Sequence, residues 1–419
     1  GAQVLVRASL PVPTHAALNR IGKMLTSANV ALASLMLAFP PTATCASGKV
    51  RRRLRVNSPD ASSGWEDWGD MPCFVDLSRF GLHVGEPDLV FRGGHATSSG
   101  DPQVLVFEDH GTPSKARRRT LIFKSADGRC NGQAAITCKQ TESSLSLLTT
   151  IRTGAMNLCS MDACTADMSA SLADLGAGYV RSMVGAMAWL PPVSSGASSR
   201  QILSIGLGAG TLALALQEVL PGSRQTVVEL SGTVADAAPC FGSGEFDVVV
   251  GDGRTYLEKA NDGELDAVLV DAFNAEDRVP PCFVTSEFFR TARKKLRSGG
   301  ILVMNSHSGK TLHDDVHDLL PAAQSVFGQS VMLGQAPGLG NVIVVARATD
   351  GHEDEGVSTL LQEPGKREGV PEEISAWFHD AEFVPAEPGS ASGAGAGRPI
   401  LRDADVMCAS SQQLGFPTA

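Results

Sequence analysis

From Arg200 onward the sequence alternates short apolar runs with amphipathic stretches, and this alternation constrains the fold more than any other feature. It is the pattern of a parallel sheet with crossover helices. The spacing predicts strands at Gln201–Gly206, Gln225–Leu230, Phe246–Gly251, Leu265–Asp271, Gly300–Asn305 and Asn341–Arg347. Helices are expected between them, among others over Thr211–Leu220, Arg254–Ala260 and Thr285–Leu296. Such sheets bind ligands at the carboxyl ends of their strands, so chemistry-bearing residues are sought there.

The first strand runs into Gly206-Leu207-Gly208-Ala209-Gly210-Thr211, a glycine turn that opens a helix. Glycines there let the backbone approach a ligand, with helix N–H groups pointing at it. The spacing is GxGxG, and Thr211 stands where a dinucleotide fingerprint has its last glycine, which counts against nicotinamide binding. Glu229 closes the second strand, about 20 residues on, where a carboxylate accepts from ribose hydroxyls. Asp252, after the third strand, has the chemistry to accept from an exocyclic amine, and Gly253 leaves room beside an adenine; a plain Asp-Gly turn is the alternative. Asp271 closes the fourth strand and faces the same crevice, either as a proton acceptor for an attacking amine or as a cap on the loop through Asn274. His307 lies just past the fifth strand, at the same mouth or simply solvated.

Six ordered motifs over Ile202–Arg347 resemble the spermidine-synthase-like, polyamine-biosynthesis family of class I S-adenosylmethionine-type transferases. They are GLGAGTL (206–212), VVEL (227–230), VVGDGRTYL (249–257), LVDAF (269–273), VPPCFVTSEFF (279–289) and LRSGGILVMN (296–305). The segment QVLVFED…RRTLIFKS at 103–125 is similar, more weakly, to that family's small β domain. The resemblance implies a class I methyltransferase Rossmann-like α/β domain with a seven-stranded sheet, order 3-2-1-4-5-7-6, preceded by a small antiparallel β domain. It implies S-adenosyl-L-methionine, or its decarboxylated form, above Gly206, Gly208 and Gly210, with Glu229 on the ribose and Asp252 at the adenine edge. Gln133 matches a cofactor-contacting glutamine, Asp271 the catalytic aspartate. Where the diamine-using members carry a second acidic residue, this chain has Asn274 in DAFNAED, and no acidic and aromatic element that would complete a diamine pocket is visible upstream. A dicationic acceptor needs paired carboxylates to offset its desolvation. Methyl transfer to a nitrogen of a protein or small molecule is therefore the expected reaction, with Asp271 and Asn274 as the catalytic pair. Aminopropyl transfer is the alternative, and a non-catalytic cofactor-binding scaffold a third reading. The spacing at 280–288 is also similar to methyltransferases of a translation elongation factor.

The rest of the chain divides by composition. Residues 1–59 hold eight Lys or Arg and no Asp or Glu, and are rich in Ala, Ser and Thr. That is the composition of an organelle transit peptide, for a mitochondrion or plastid. The apolar-rich run Ala28–Phe39 also fits the core of a secretory signal or a buried helix, and it is short for a membrane span. Residues 60–150 read as a small β-rich domain, 151–198 as a helical connector with a helix from Tyr179 to Leu190, 199–349 as the transferase domain and 350–419 as a flexible tail containing GSASGAGAG. The net charge of −10 argues against a nucleic-acid surface. Arg51–Arg53 and Arg117–Arg119 read as solvated basic loops. The nine cysteines, with no CxxC pair, read as reduced thiols, and no zinc set is expected. The expected partner is an amine acceptor, a small molecule or a protein; a homodimer stays open.

Overall fold

A computed structural model of the chain describes residues 88–94, 103–109, 116–124, 128, 130–139, 164–173, 177–192, 199–242, 246–274, 278–307, 315–336, 340–349, 370–386 and 400–406. The proposed targeting segment at 1–59 and the glycine-rich tract at 389–397 lie outside them. All the elements below belong to the unit Asp70–Ala419.

Among the described residues, four strands form an antiparallel meander: β1 (Asp88–Gly93), β2 (Gln103–Asp109), β3 (Arg118–Lys124) and β4 (Cys130–Thr137). The expected β domain is present, with a first strand that the sequence pattern did not reveal. Arg118 and Arg119 belong to β3 and are not a solvated loop. Arg119 is 1% exposed and donates Nε–H to Glu108 Oε2 at 2.6 Å and Nη1–H to the Cys240 carbonyl at 2.7 Å. Its carboxylate partner sits directly opposite on β2, an arrangement that only strand pairing creates.

The second sheet holds β5 (Gln201–Ile205), β6 (Arg224–Glu229), β7 (Asp247–Val250), β8 (Leu265–Val270), β9 (Leu296–His307), β10 (Val331–Gln335), β11 (Asn341–Arg347) and β12 (Val384–Pro385). Its order, β12-β10-β11-β9-β8-β5-β6-β7, contains the expected 3-2-1-4-5-7-6 arrangement plus an eighth strand at the β10 edge. β5 to β9 run parallel, and β11 pairs antiparallel with both β9 and β10. Every residue of β8 is buried, as a central parallel strand covered on both faces requires. β9 begins at Leu296, four residues before the expected start, directly at the end of the preceding helix.

Among the described residues, the helices are α1 (Met168–Ala173), α2 (Gly178–Gly185), α3 (Thr211–Val219), α4 (Gly232–Ala237), α5 (Gly253–Lys259), α6 (Ser286–Lys295), α7 (Asp315–Phe327) and α8 (Glu372–Asp380). Their starts are locally encoded. Ser231, Asp252 and Thr285 each accept a first-turn N–H with the side chain, and α6 ends on Arg293-Lys294-Lys295, which suits the negative helix terminus.

Part of the tail is folded. Residues 370–386 fold into α8 and β12, and Phe378 and Phe383 each place a ring 4.8 Å from Trp189. The polar composition after 350 masks this, because Ile374, Phe378, Ala381, Phe383 and Ala386 are few but all buried. The residues 400–406 also dock: Asp403 accepts from Arg254 and from Thr285, and Ser286 N–H donates to the Leu401 carbonyl. The reading of the cysteines as reduced thiols is overturned as well. Cys138 and Cys164 form a buried disulfide, and Cys240 and Cys282 are also disulfide-bonded. Cys138 and Cys164 lie 26 positions apart, so nothing local signals the pair; the antiparallel Cys138–Ala166 bridge brings the two segments together, with the cysteine Cα atoms 5.2 Å apart.

Candidate active site

The carboxyl ends of β5, β6, β8 and β9 lie on one side of the sheet, where parallel α/β sheets form their ligand crevice. At its centre the backbone leaves β5 through Gly206, Gly208 and Gly210, all at positive φ. Gly206 N–H donates to Val228 O at 2.8 Å, and Asp271 N–H donates to Ile205 O at 2.9 Å, so the turn is stitched to both neighbouring strands. A Cβ on Gly206 would lie 2.2 Å from the Asp271 carbonyl oxygen. Only glycine permits this approach, which fixes the turn against the end of β8. Gly210 opens α3 in the left-handed conformation without a side-chain cap, leaving first-turn N–H groups directed at the crevice.

Glu229 anchors the same turn from the β6 side. Its Oε2 accepts from Leu207 N–H at 2.9 Å and its Oε1 from Ser231 N–H at 2.8 Å. Burial pushes its carboxyl pKa up, against the pull of those backbone donors. The Gly208 and Leu230 N–H groups act on the same carboxylate, which holds the loop and sets an acceptor at the end of β6, where ribose hydroxyls are expected. Glu229→Ala is expected to weaken cofactor binding by roughly 1.5–3 kcal/mol, the worth of hydrogen bonds to a charged group. Calorimetry with S-adenosylhomocysteine measures it; wild-type affinity would remove Glu229 from the ribose role.

Asp252 caps α5, its Oδ1 accepting from Thr255 N–H at 2.7 Å. Gly253 does not simply leave space for an adenine. A Cβ there would lie 2.4 Å from Ile205 Cγ2, so this glycine lets α5 pack onto β5. Gln133 sits on β4 at a bulge, between the pairs Leu121–Ala134 and Ile122–Gly132. Asn274 is exposed; its Oδ1 accepts from Arg278 N–H at 2.9 Å and its own N–H donates to Arg278 O, so it closes the 274–278 loop.

Asp271 is the hub of a hydrogen-bonded chain. Its Oδ1 accepts from Asn305 Nδ2 at 2.9 Å, and Asn305 Oδ1 accepts from Asn341 Nδ2 at 3.0 Å. The hydroxyl of Tyr179 on α2 bonds the same carboxylate. Burial pushes the Asp271 pKa up, while Asn305, His307 and Tyr179 act against it. Tyr179 is held well above the usual tyrosine range, first by burial and then by the Asp271 charge. His307 is 8% exposed, and its ring centroid lies 4.8 Å from that of Phe273. The helix that carries Tyr179 is legible in the sequence but the residue's role is not; its one signal is scarcity, as one of two tyrosines in the chain. Asn305 and Asn341 gave no signal, because their partnership exists only across the β9–β11 ladder.

Residues 192–338 match the spermine/spermidine synthase domain. A polyamine aminopropyltransferase of Vibrio vulnificus is 31% identical over 177 residues, 41% of this chain and 56% of that protein. One from Neisseria meningitidis serogroup A is 34% identical over 174 residues, 40% of this chain and 62% of its own length. The eEF1A lysine and N-terminal methyltransferase of Xenopus laevis is 29% identical over 138 residues, 30% of this chain and 20% of that protein. The chain thus spans about 56–62% of the length of the two aminopropyltransferases. With a 3-2-1-4-5-7-6 strand order, a glycine turn after β5 and acidic residues closing β6 and β8, the region that matches the spermine/spermidine synthase domain has a methyltransferase-type fold.

Proposed function

We propose that this domain is a transferase that moves an alkyl group from an S-adenosyl sulfonium donor to an amine nitrogen, and that the group is aminopropyl from decarboxylated S-adenosylmethionine. The observation that carries the transferase reading is the partly buried Asp271 carboxylate pinned beside the glycine turn by Tyr179 and Asn305. It is placed to hold the acceptor as an ammonium on arrival and, once the nitrogen is neutral, to keep its lone pair aimed at the sulfonium carbon. The donor is already activated, so positioning is the main service the protein supplies.

Two facts favour aminopropyl over the methyl transfer expected from the sequence. The aminopropyltransferase relatives are the more similar, 31–34% identical over 174–177 residues against 26–29% for two methyltransferases. The charged side chains at the strand ends, Glu229, Asp252 and Asp271, are all acidic, which disfavours a donor with an added carboxylate. Methyl transfer stays as a second reading because Asn274, engaged in its own loop, supplies no second carboxylate for a diamine. Calorimetry with both donors, followed by product analysis with a simple amine, separates the two. At least tenfold tighter binding of the decarboxylated donor is expected, about 1.4 kcal/mol; equal or tighter binding of S-adenosylmethionine would reverse the choice.

A further inference from the structure

β9 presents a second reactive group to the crevice. Side chains two residues apart on a strand share a face. Asn305 points at Asp271, so His307 lies on that same face, while Ser306 between them turns away and donates to the Val342 carbonyl. The His307 ring rests on Phe273, which follows Asp271 out of β8. Its Nδ1 is buried and has no hydrogen-bond partner among the described residues. Among the described residues, the ionisable group interacting with it is Asp271, at the end of β8, which also accepts from Tyr179 on α2. β11 contributes Asn341, the strand partner of His307, whose carboxamide donates to Asn305.

A buried polar atom left without a partner carries a desolvation cost, so an unpaired ring nitrogen at the mouth of a crevice points to a group that arrives with the substrate. Asp271 is already served by Asn305 and Tyr179, which suits it to holding charge rather than to taking a proton. Resting on the transferase reading above, we propose that His307 takes the proton released by the acceptor amine and that the site is built for an acceptor presenting one ammonium group. The acceptor binds as an ammonium against Asp271 and passes one proton to the lone pair of His307 Nδ1, which leaves the nitrogen neutral. That nitrogen attacks the sulfonium carbon: the C–N bond forms as the C–S bond breaks, and its electron pair stays on sulfur as a neutral thioether. The product nitrogen is a secondary ammonium opposite Asp271, and the imidazolium releases its proton to solvent. One carboxylate, Asp271, matches one substrate cation; an imidazolium opposite it leaves no place for a second.

The test compares wild type, His307→Gln and His307→Ala with decarboxylated S-adenosylmethionine, using n-butylamine and butane-1,4-diamine as acceptors. His307→Gln is expected to lose on the order of 10² in kcat, the lower end for a positioned acid or base, with donor KM unchanged. Added imidazole should restore His307→Ala at least tenfold, and wild type should turn over the monoamine at least as well as the diamine. Wild-type kcat in His307→Gln, or a donor-binding His307→Ala that imidazole does not rescue, would overturn the proton role. A strong diamine preference would overturn the single-ammonium assignment. No transfer by wild type from either sulfonium donor would instead bring down the transferase reading, and the His307 role with it.

Discussion

Asp271→Asn is expected to lower turnover on the order of 10²-fold, the cost of misplacing a reacting group by about 1 Å. Donor affinity should stay nearly unchanged, because the turn that carries the donor is anchored by backbone bonds of Gly206 and by Glu229. The stability of the variant should move the other way. Burial raises the folded-state pKa of Asp271, so the wild-type protein loses stability as pH rises from the unfolded carboxylate value to the folded one. An asparagine has no such penalty. The variant should therefore match wild type in acid and melt higher at neutral pH, a gain set against function. Melting temperature at two pH values, calorimetry and single-turnover rates on one preparation test all three parts. A variant with wild-type turnover would remove Asp271 from the mechanism, and one that melts lower at neutral pH would show a structural role.

Arg119→Leu is expected to destabilise the protein by about 3–5 kcal/mol, because breaking a buried ion pair leaves the other charge buried. Glu108 is 0% exposed, and a second cation beside it, Arg117 at 3.5 Å, is a partial substitute at best. The same guanidinium reaches Cys240 O, so the loss also loosens the small sheet from the 3-10 turn Ala238–Phe241. The double variant Glu108→Leu/Arg119→Leu should recover most of the loss, since replacing both members of a buried pair by apolar groups is often close to neutral. Chemical denaturation of the two variants is the measurement. A single variant within about 1 kcal/mol of wild type would show the pair to be dispensable.

The sequence by itself determined what depends on neighbours along the chain. Alternation of apolar runs set β5 to β9 and their helices, because burial on both faces of a parallel sheet demands it. Three glycines in five residues made the turn after β5 legible, and Ser231, Asp252 and Thr285 announced helix starts through their own side chains. Asp271 and Glu229 could be placed in one crevice because every parallel strand ends on the same side of the sheet. Only the tertiary structure decided what depends on residues distant in sequence. Gly206 is glycine because the Asp271 carbonyl, 65 positions on, would strike a Cβ. Tyr179 reaches Asp271 across 92 positions and Asn341 reaches Asn305 across 36. The Arg119 charge, readable as a solvated loop, is buried because strand pairing sets Glu108 opposite it. A hydrogen bond or ion pair between remote residues leaves no periodicity in the chain, since its two halves are brought together only by the packing of the elements that carry them.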